Sequence, residues 1–191
     1  MADLVKEFPI HEFIDTEWAS YADYDNRRSL PHIMDGLKTT QRKAIYTATT
    51  LGKSEKPRVS QLASRASERC NYHHGEASML GTIVKLAQDH PGTNNIPWLD
   101  KQGQFGNRLD STAAAGRYIH SWLHSNFHTF FRKEDQDVVN YLYDDGDKIE
   151  PEYFIPVIPT LLVNGAEGMG NGFSVDILTY NPVDVAKACL S

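Results

Sequence analysis

The sequence predicts an α+β fold in which helices come first and short strands follow. Three stretches with helical periodicity succeed one another, over residues 39–51, over 60–70 and from 76 onward. A loop rich in glycine, asparagine and proline, 91–108, comes next, and strand-like runs lie beyond it. This order, with a basic helix among the three, resembles a helix-turn-helix with a wing, which is called a winged helix.

Each of the three helices has an apolar face. The first places Arg42 and Lys43 beside its apolar stripe and ends at Gly52. The second begins with Ser60 as its expected N-cap. The third begins at Glu76, and its apolar residues recur at helical spacing: Met79, Leu80, Ile83, Val84 and Ala87.

Composition excludes several classes of protein. The chain has 191 residues, which is enough for a hydrophobic core without covalent cross-links. Its two cysteines, Cys70 and Cys189, are far apart and follow no secretory leader, so we expect a reducing, intracellular setting rather than a disulfide scaffold. No apolar run reaches the roughly 18 residues of a membrane span, so we expect a soluble protein without a membrane partner.

The net charge of −6 conceals a strong separation of charge along the chain. Residues 1–26 hold one base and seven acids, whereas residues 27–69 hold ten bases and three acids. Residues 70–133 then carry +2 and residues 134–191 carry −9. A basic block of this density is typical of a surface that binds a phosphate backbone, and a solvated face of mixed charge is the alternative explanation.

The acidic segment 1–26, called the arm below, has one apolar face. The side chains that form this face are Phe8, Ile10, Phe13, Ile14 and Trp18. Their spacing predicts a helix, and the remainder of the arm is polar. We therefore expect the arm to dock on a partner through its apolar face.

The second half of the chain predicts further elements. The spacing of apolar residues predicts a helix over 117–131, and strands are expected over 138–143, 155–163 and 173–178. Two prolines interrupt the middle strand, so it should be bent or lie at an edge. Asn181-Pro182 predicts the start of a final helix, with a cap and a first-turn proline.

Two groups of histidines could bind a metal ion. Cys70 and the segment Tyr72–Glu76 do not meet the spacings of zinc sites, and adjacent histidines usually point in different directions. His120, His124 and His128 recur every fourth residue, so neighbouring pairs could share a metal on a helix. They also border the apolar stripe, and we favour half-buried packing residues over ligands.

The glycine-rich run 164–170 follows an apolar stretch and could suggest a dinucleotide-binding loop. Such a loop needs a periodic helix directly after the glycines, but the strand-like piece 173–178 follows. A chain reversal with positive φ angles explains the glycines better.

The pair Arg117-Tyr118 is the strongest candidate for covalent chemistry. A tyrosine phenol, with an ordinary pKa of ~10, is a poor nucleophile near neutral pH and needs adjacent cations. Arg117 supplies such a cation. The alternative is a half-buried tyrosine whose hydroxyl only contacts water.

Five short motifs occur in a fixed order. They are DGLK-x-x-QRK (35–43), YHHGE (72–76), GQFG-x-R (103–108), RYI (117–119) and EPE-x-x-IP-x-IP-x-x-L-x-NGAEG-x-G (150–170). Together they resemble the DNA breakage-reunion region of type IIA DNA topoisomerases, from about Asp25 to Val185. The resemblance implies a winged-helix DNA-cleavage domain over 27–153, after the arm, and the beginning of a mixed α/β tower domain over 154–191.

The resemblance also implies an active site. Tyr118 matches the tyrosine that attacks a DNA phosphodiester and holds the 5′ phosphate as an ester. Arg117, Arg42 and His74 match the other members of the cleavage centre. This agrees with the chemistry, because a phosphoryl-transfer transition state with spread negative charge needs positioned cations, and a histidine can move a proton at neutral pH.

DNA contacts follow from the same resemblance. Those expected to bind DNA are Lys38, Lys43, His73, Arg108 and Met169. Met169 takes the place of the isoleucine that commonly bends DNA in the family, and methionine can also enter a base step as an apolar wedge.

The resemblance implies cofactors and partners outside this chain. Mg²⁺ belongs to a Toprim domain and ATP to an ATPase domain, so we expect no metal or nucleotide on this chain alone. The expected partners are double-stranded DNA, a second copy of the chain, and a Toprim/ATPase subunit, in a heterotetramer-like assembly. ATP-dependent type II topoisomerase activity would then require that partner and a dimer, since each strand needs its own tyrosine.

The start at Met1 and the spelling YHHGE favour a phage-type enzyme split into subunits. We expect a location in the cytoplasm, that of the host for a phage protein, or in the nucleus for a eukaryotic one. A non-catalytic winged-helix module that binds DNA or another protein is the alternative function, because the basic block would bind a phosphate backbone whether or not Tyr118 reacts.

Overall fold

The computed structural model describes residues 8–191, and the part of the arm over 1–7 lies outside the described residues. From Ile10 onward the arm lies in one helical segment, as the spacing predicts. It consists of α1 (Ile10–Phe13), a π-helical turn (Ile14–Trp18) and α2 (Ala19–Ser29). None of these helical residues is buried, so the apolar face of the arm is exposed in this chain.

The three predicted helices are present and form the centre of the molecule: α3 (Thr39–Thr49), α4 (Val59–Arg69) and α5 (Glu76–Ala87). Helices α3 and α4 begin in the same way. The Gln41 side-chain oxygen accepts a hydrogen bond from the Lys38 N–H at 2.8 Å, and Gln61 does the same for Arg58 at 3.0 Å. Arg58, not Ser60, is therefore the N-cap residue of α4.

A single hydrophobic core lies between these helices. Its aliphatic members include Ile45, Leu62, Met79, Ile83 and Leu86, all almost fully buried. Burial of each such side chain contributes about 1.5–3 kcal/mol to stability. This core fixes the relative positions of the helices and of the loops between them.

A two-stranded wing follows, in which β1 (Leu99–Gln102) pairs antiparallel with β2 (His120–Leu123). The helix predicted over 117–131 is wrong: β2 occupies its first half, and only the short α6 (Phe127–Phe130) is helical. The reason is non-local, because β1 pairs with this segment and buries Ser121, whose hydroxyl donates to the Asp100 carbonyl at 2.8 Å. The three histidines therefore share no helix.

The next hairpin consists of β3 (Tyr141–Asp144) and β4 (Asp147–Pro151), after a 3₁₀ turn (Glu134–Asp137). The strand was predicted over 138–143, three residues too early. Asp145 and Gly146 both have positive φ, of 50° and 86°, which is the geometry of a tight two-residue hairpin turn.

The strand predicted over 155–163 is also wrong: only an isolated bridge from Pro156 to Phe131 forms, and α7 (Thr160–Asn164) follows. Pro159 precedes this helix and removes a ladder donor, and the Thr160 hydroxyl donates to the Asp35 carbonyl at 3.0 Å. The last predicted elements are present as β5 (Ala166–Met169), β6 (Ser174–Ile177) and α8 (Pro182–Leu190). The Asn181 side chain accepts from the Val183 N–H at 2.8 Å, as its capping role requires.

The architecture confirms the α+β class: helices with three two-stranded antiparallel sheets within residues 8–191. Phe154, the first residue of the predicted tower segment, packs in the same core against Phe127 and Phe131. That segment therefore starts inside the core of the preceding domain. Over the same residues, no helix has the length and apolar character that a bilayer crossing requires.

Candidate DNA interface and active site

Tyr118 lies on the surface in a backbone that is fixed on both sides. The Gly116 carbonyl accepts from the Ser60 N–H at 3.1 Å, and the Ile119 carbonyl accepts from the Val59 N–H at 2.9 Å. Both donors belong to the first turn of α4. Tyr118 itself is 68% exposed between these two anchors. Its hydroxyl is thus open to a ligand while its main chain is held.

The same segment lies close to α5. A Cβ on Gly116 would come within 2.9 Å of the Leu80 side chain, so only glycine fits without displacing that side chain. Arg117 is exposed and its guanidinium carbon lies 4.8 Å from the centre of the Tyr118 ring. A cation therefore lies over the ring of the phenol.

A second group of candidate residues lines a cleft between α2, the turn before α5 and the β3–β4 hairpin. We call it the histidine cleft, and its lining includes Arg28, His73, His74, Ser78 and Asp144. His73 Nε2 lies 2.9 Å from Asp144 Oδ2. The Tyr72 hydroxyl donates to Ser78 at 3.1 Å, and its ring meets that of His74 edge-on at 5.3 Å. The histidines are exposed but oriented by these contacts.

Arg28 is a residue that the sequence analysis did not single out. It lines both the histidine cleft and a neighbouring depression that contains Lys38, which we call the Lys38 depression. One guanidinium nitrogen donates to Asp25 at 2.6 Å, while Nε is buried and has no partner among residues 8–191. The only sequence signal for it was the dense basic block, which did not distinguish one arginine from another.

Lys38 also lines a second, shallow depression beside the β5–β6 hairpin, and Met169 lies in this one with it. Met169 is the last residue of β5 and is 81% exposed. Glu167 and Asp176 pair across the two strands and line the same depression, so its charge is mixed. The two predicted DNA contacts are thus neighbours on the surface.

Arg42 is placed differently from the other predicted catalytic residues, because it is only 4% exposed. Its guanidinium donates to both carboxylate oxygens of Asp35, at 2.9 and 3.0 Å, and to the Leu37 carbonyl at 2.9 Å. Asp35 also accepts from the Phe154 N–H at 2.9 Å. The charge of Arg42 is therefore compensated inside the protein.

Lys43 is also buried, and this corrects its predicted role in DNA binding. Its ammonium donates to Glu150 at 2.9 Å and to the Cys70 carbonyl at 2.6 Å. The group therefore points into the protein, where it holds the β3–β4 hairpin against α3. Burial, and then the Glu150 charge, raise the pKa of the neighbouring Cys70 thiol to about 11.

Arg108 lies on the exposed loop between the two wing strands. The next residues are ordered by local hydrogen bonds, in which the Asn107 side chain accepts from the N–H groups of Leu109 and Asp110. Hydrogen bonds from Thr112 lower the pKa of Asp110. Arg108 is thus available to DNA but stands apart from the histidine cleft.

Helix α5 separates the candidate residues into two groups. Ser78 and Thr82 are four positions apart, and they line the surface that includes the histidine cleft and the Lys38 depression. The Leu80 side chain lies next to Gly116. Because Leu80 is two residues from Ser78 and two from Thr82, it lies about 200° around the helix axis from them, on the opposite face of α5. Tyr118 and Arg117 therefore lie on the side of α5 opposite to His73, His74, Arg28 and Lys38.

Between residues 8 and 191, no three histidine, cysteine or acidic side chains are grouped as metal ligands.

Comparison with known proteins gives consistent matches. The family model for the A subunit of DNA gyrase/topoisomerase IV matches residues 28–191. The chain is 42% identical over 178 residues to a DNA topoisomerase 2 of Caenorhabditis elegans, covering 92% of this chain and 12% of that protein. It is 41% identical over 179 residues to human DNA topoisomerase 2-alpha, with coverage of 93% and 12%.

A solved structure agrees in fold as well as in sequence. The crystal structure of the DNA-binding, cleavage and re-ligation domain of Plasmodium falciparum topoisomerase II superposes with a TM-score of 0.87 at 42% identity. That match covers 93% of this chain and 24% of the other. The chain thus spans a small part of the length of the proteins it resembles, 12–14% for the curated relatives.

Proposed function

Since the chain belongs to the A-subunit family of DNA gyrase/topoisomerase IV, as a type IIA breakage-reunion region, we propose that it is the DNA-cleaving part of a type II DNA topoisomerase. The observation that supports this most is the placement of Tyr118. Its hydroxyl is exposed on a backbone fixed by α4, with the Arg117 guanidinium beside the ring.

In the proposed reaction, the Tyr118 oxygen attacks a backbone phosphorus of DNA. The bond from Tyr118 to phosphorus forms as the bond from phosphorus to the deoxyribose O3′ breaks. The phenol loses its proton, and the departing O3′ gains one. The 5′ phosphate stays attached to Tyr118, and attack by the O3′ hydroxyl later restores the DNA and frees the phenol.

Arg117 would stabilise the charge that spreads over the phosphate oxygens in the transition state. The exposed His74 would move a proton or donate a hydrogen bond to the phosphate, and Lys38 and Arg28 would hold the DNA backbone. Arg42 would act through Asp35, by holding the DGLK segment against Phe154, because its own charge is already paired.

A dimer is part of the proposal. Each DNA strand needs one tyrosine, and α5 separates Tyr118 from the histidine cleft of its own chain. Two copies would allow Tyr118 of one chain to approach the histidine cleft of the other. This supports the predicted homodimer as the smallest unit that cleaves both strands.

In the whole enzyme, the proposed reaction would depend on Mg²⁺, ATP and a Toprim/ATPase module. The relatives named above are eukaryotic and much longer than this chain, so they give no support to a phage-type origin, a separate partner subunit or a heterotetramer. The module could therefore be supplied by the same polypeptide or by another one.

A covalent trap tests the proposal. The chain is mixed with a Toprim/ATPase module, Mg²⁺ and end-labelled duplex DNA, and the reaction is stopped with detergent. We expect protein attached to 5′ ends with the native sequence and none with Tyr118→Phe. Tyr180→Phe, which alters another exposed tyrosine, is the matched control and should retain the adducts.

Adducts that persist in Tyr118→Phe would show that the nucleophile is a different residue. Absence of adducts with the native sequence, together with retained DNA binding, would instead favour the non-catalytic winged-helix module.

A further inference from the structure

The tip of the β5–β6 hairpin is fastened to the end of α2. The Asn26 side-chain oxygen accepts from the Asn171 N–H at 2.7 Å, and its amide nitrogen donates to the Asn171 carbonyl at 3.2 Å. One side chain thus binds both backbone groups of a single turn residue, 145 positions away in the sequence.

A third hydrogen bond completes this contact. The Asn171 side-chain amide donates to Asp25 Oδ2 at 2.8 Å. The other carboxylate oxygen of Asp25 accepts from Arg28 at 2.6 Å. We call Asp25, Asn26 and Asn171 the asparagine clamp. Through Asp25, the clamp also contacts a residue of the histidine cleft.

The fit around the clamp is tight. A Cβ on Gly170 would lie 2.0 Å from Asn26 Oδ1, and a Cβ on Gly168 would lie 2.7 Å from the Ser29 carbonyl oxygen. Glycine at both positions is what allows the hairpin to approach α2 this closely. The tip therefore has little room to shift against the helix.

The hairpin presents two apolar residues at this fixed tip. Met169 is 81% exposed and Phe173 is 65% exposed. The turn between them is closed by a hydrogen bond from the Gly170 N–H to the Phe173 carbonyl at 2.9 Å. The clamp binds Asn171, in the middle of this turn. The orientation of Met169 is thus set by contacts with α2 rather than by its own side-chain packing.

We propose that Asn26 and Asn171 are positioning residues that fix the angle at which Met169 enters DNA. The inference rests on the proposed function, in which Met169 acts as a wedge. A wedge separates stacked bases only if its support resists the opposing force, because a hairpin that yields would tilt away instead of bending the DNA. The clamp supplies that resistance at the tip.

The test measures DNA bending and DNA binding separately. The chain binds a duplex of about 30 base pairs that carries a fluorophore at each end, so that bending raises energy transfer. Asn26→Ala removes two of the clamp bonds, and Asn171→Ala removes only the bond to Asp25. We expect Asn26→Ala to lower the bent fraction by about three-fold or more, with a smaller loss for Asn171→Ala.

Affinity should change by less than about two-fold in both variants, since most of it comes from cationic contacts with the backbone. Asn94→Ala is the matched control. Asn94 also donates two hydrogen bonds to backbone carbonyls, at 2.6 and 2.8 Å, but at the end of α5. It should bend DNA like the native chain.

A double-variant comparison separates positioning from general destabilisation. Met169→Ala should abolish bending, and adding Asn26→Ala to it should leave affinity unchanged. A further loss of affinity in the double variant, or native bending by Asn26→Ala, would overturn the role of the clamp. Met169→Ala that bends normally would overturn the proposed wedge itself. If Asn26→Ala fails to fold, the milder variant Asn171→Ala still tests the clamp, because it removes only the bond to Asp25.

Discussion

The carboxylate of Asp35 and the guanidinium of Arg42 form a buried, two-point ion pair at 2.9 and 3.0 Å. Asp35 also binds the main chain of Leu37 and of Phe154, at 3.0 and 2.9 Å. The pair therefore joins the DGLK turn, α3 and the segment before α7. An arginine that was predicted to be catalytic thus serves first as an internal connection.

Removal of Arg42 should reduce stability strongly. Arg42→Ala leaves the Asp35 carboxylate buried without its partner, which costs about 3–5 kcal/mol. Arg117→Ala, at an exposed position, should change stability by less than about 0.5 kcal/mol. Urea unfolding measures both. Equal stabilities for the two variants would contradict the internal role of Arg42. Only the Arg117 variant reports on cleavage chemistry without a folding effect.

Lys38 and Lys43 should differ in the salt dependence of DNA binding. Lys38→Met removes a cation beside Met169, so the negative slope of log K against log[salt] should decrease in magnitude by about 1. The combined change Lys43→Met and Glu150→Gln removes a buried pair without leaving an unpaired charge, and the slope should stay the same. Fluorescence anisotropy titrations at several salt concentrations measure this. A slope of smaller magnitude in the combined Lys43→Met and Glu150→Gln variant would show that the Lys43 ammonium does reach DNA.

Local sequence patterns predicted helices α3, α4 and α5, because their apolar residues repeat within one element. The helix predicted over 117–131 was wrong because Ile119 and Leu123, which lie in or next to a strand, share a helical spacing with Phe127 by coincidence. Pairing with Leu99–Gln102 converts the first half to a strand. Such pairing depends on a partner that the local pattern does not contain.

The candidate site was only partly visible in the sequence. The motifs single out Tyr118, Arg117 and His74 as candidates, and all three are exposed in the structure. They did not reveal that Lys43 is buried, because its partner Glu150 lies 107 residues away. The asparagine clamp could not be predicted for the same reason, since Asn171 lies 145 residues from Asn26 and 146 from Asp25.

The two cysteines should differ in reactivity. Burial raises the pKa of Cys70 to about 11, so the thiol stays protonated at pH 8, and the side chain is also shielded from reagents. Cys189 is exposed. With an aromatic disulfide reagent at pH 8, we expect one thiol per folded chain to react quickly and the second only in urea. Rapid reaction of both in the folded protein would show that the β3–β4 hairpin opens readily over Cys70.

Two glycines should respond in opposite directions to the same substitution. Gly36 has φ of +72°, and a Cβ there would lie 2.8 Å from the Leu161 backbone, so Gly36→Ala introduces both strain and a clash. We expect a loss of about 1–3 kcal/mol, with separation of the DGLK turn from α7. Gly81 lies in the middle of α5 with open space around its Cβ position, so Gly81→Ala should gain about 0.5–1 kcal/mol by favouring the helix. Thermal and urea unfolding of both variants give the two signs, and stabilisation by Gly36→Ala would mean that the turn does not pack against α7 in solution.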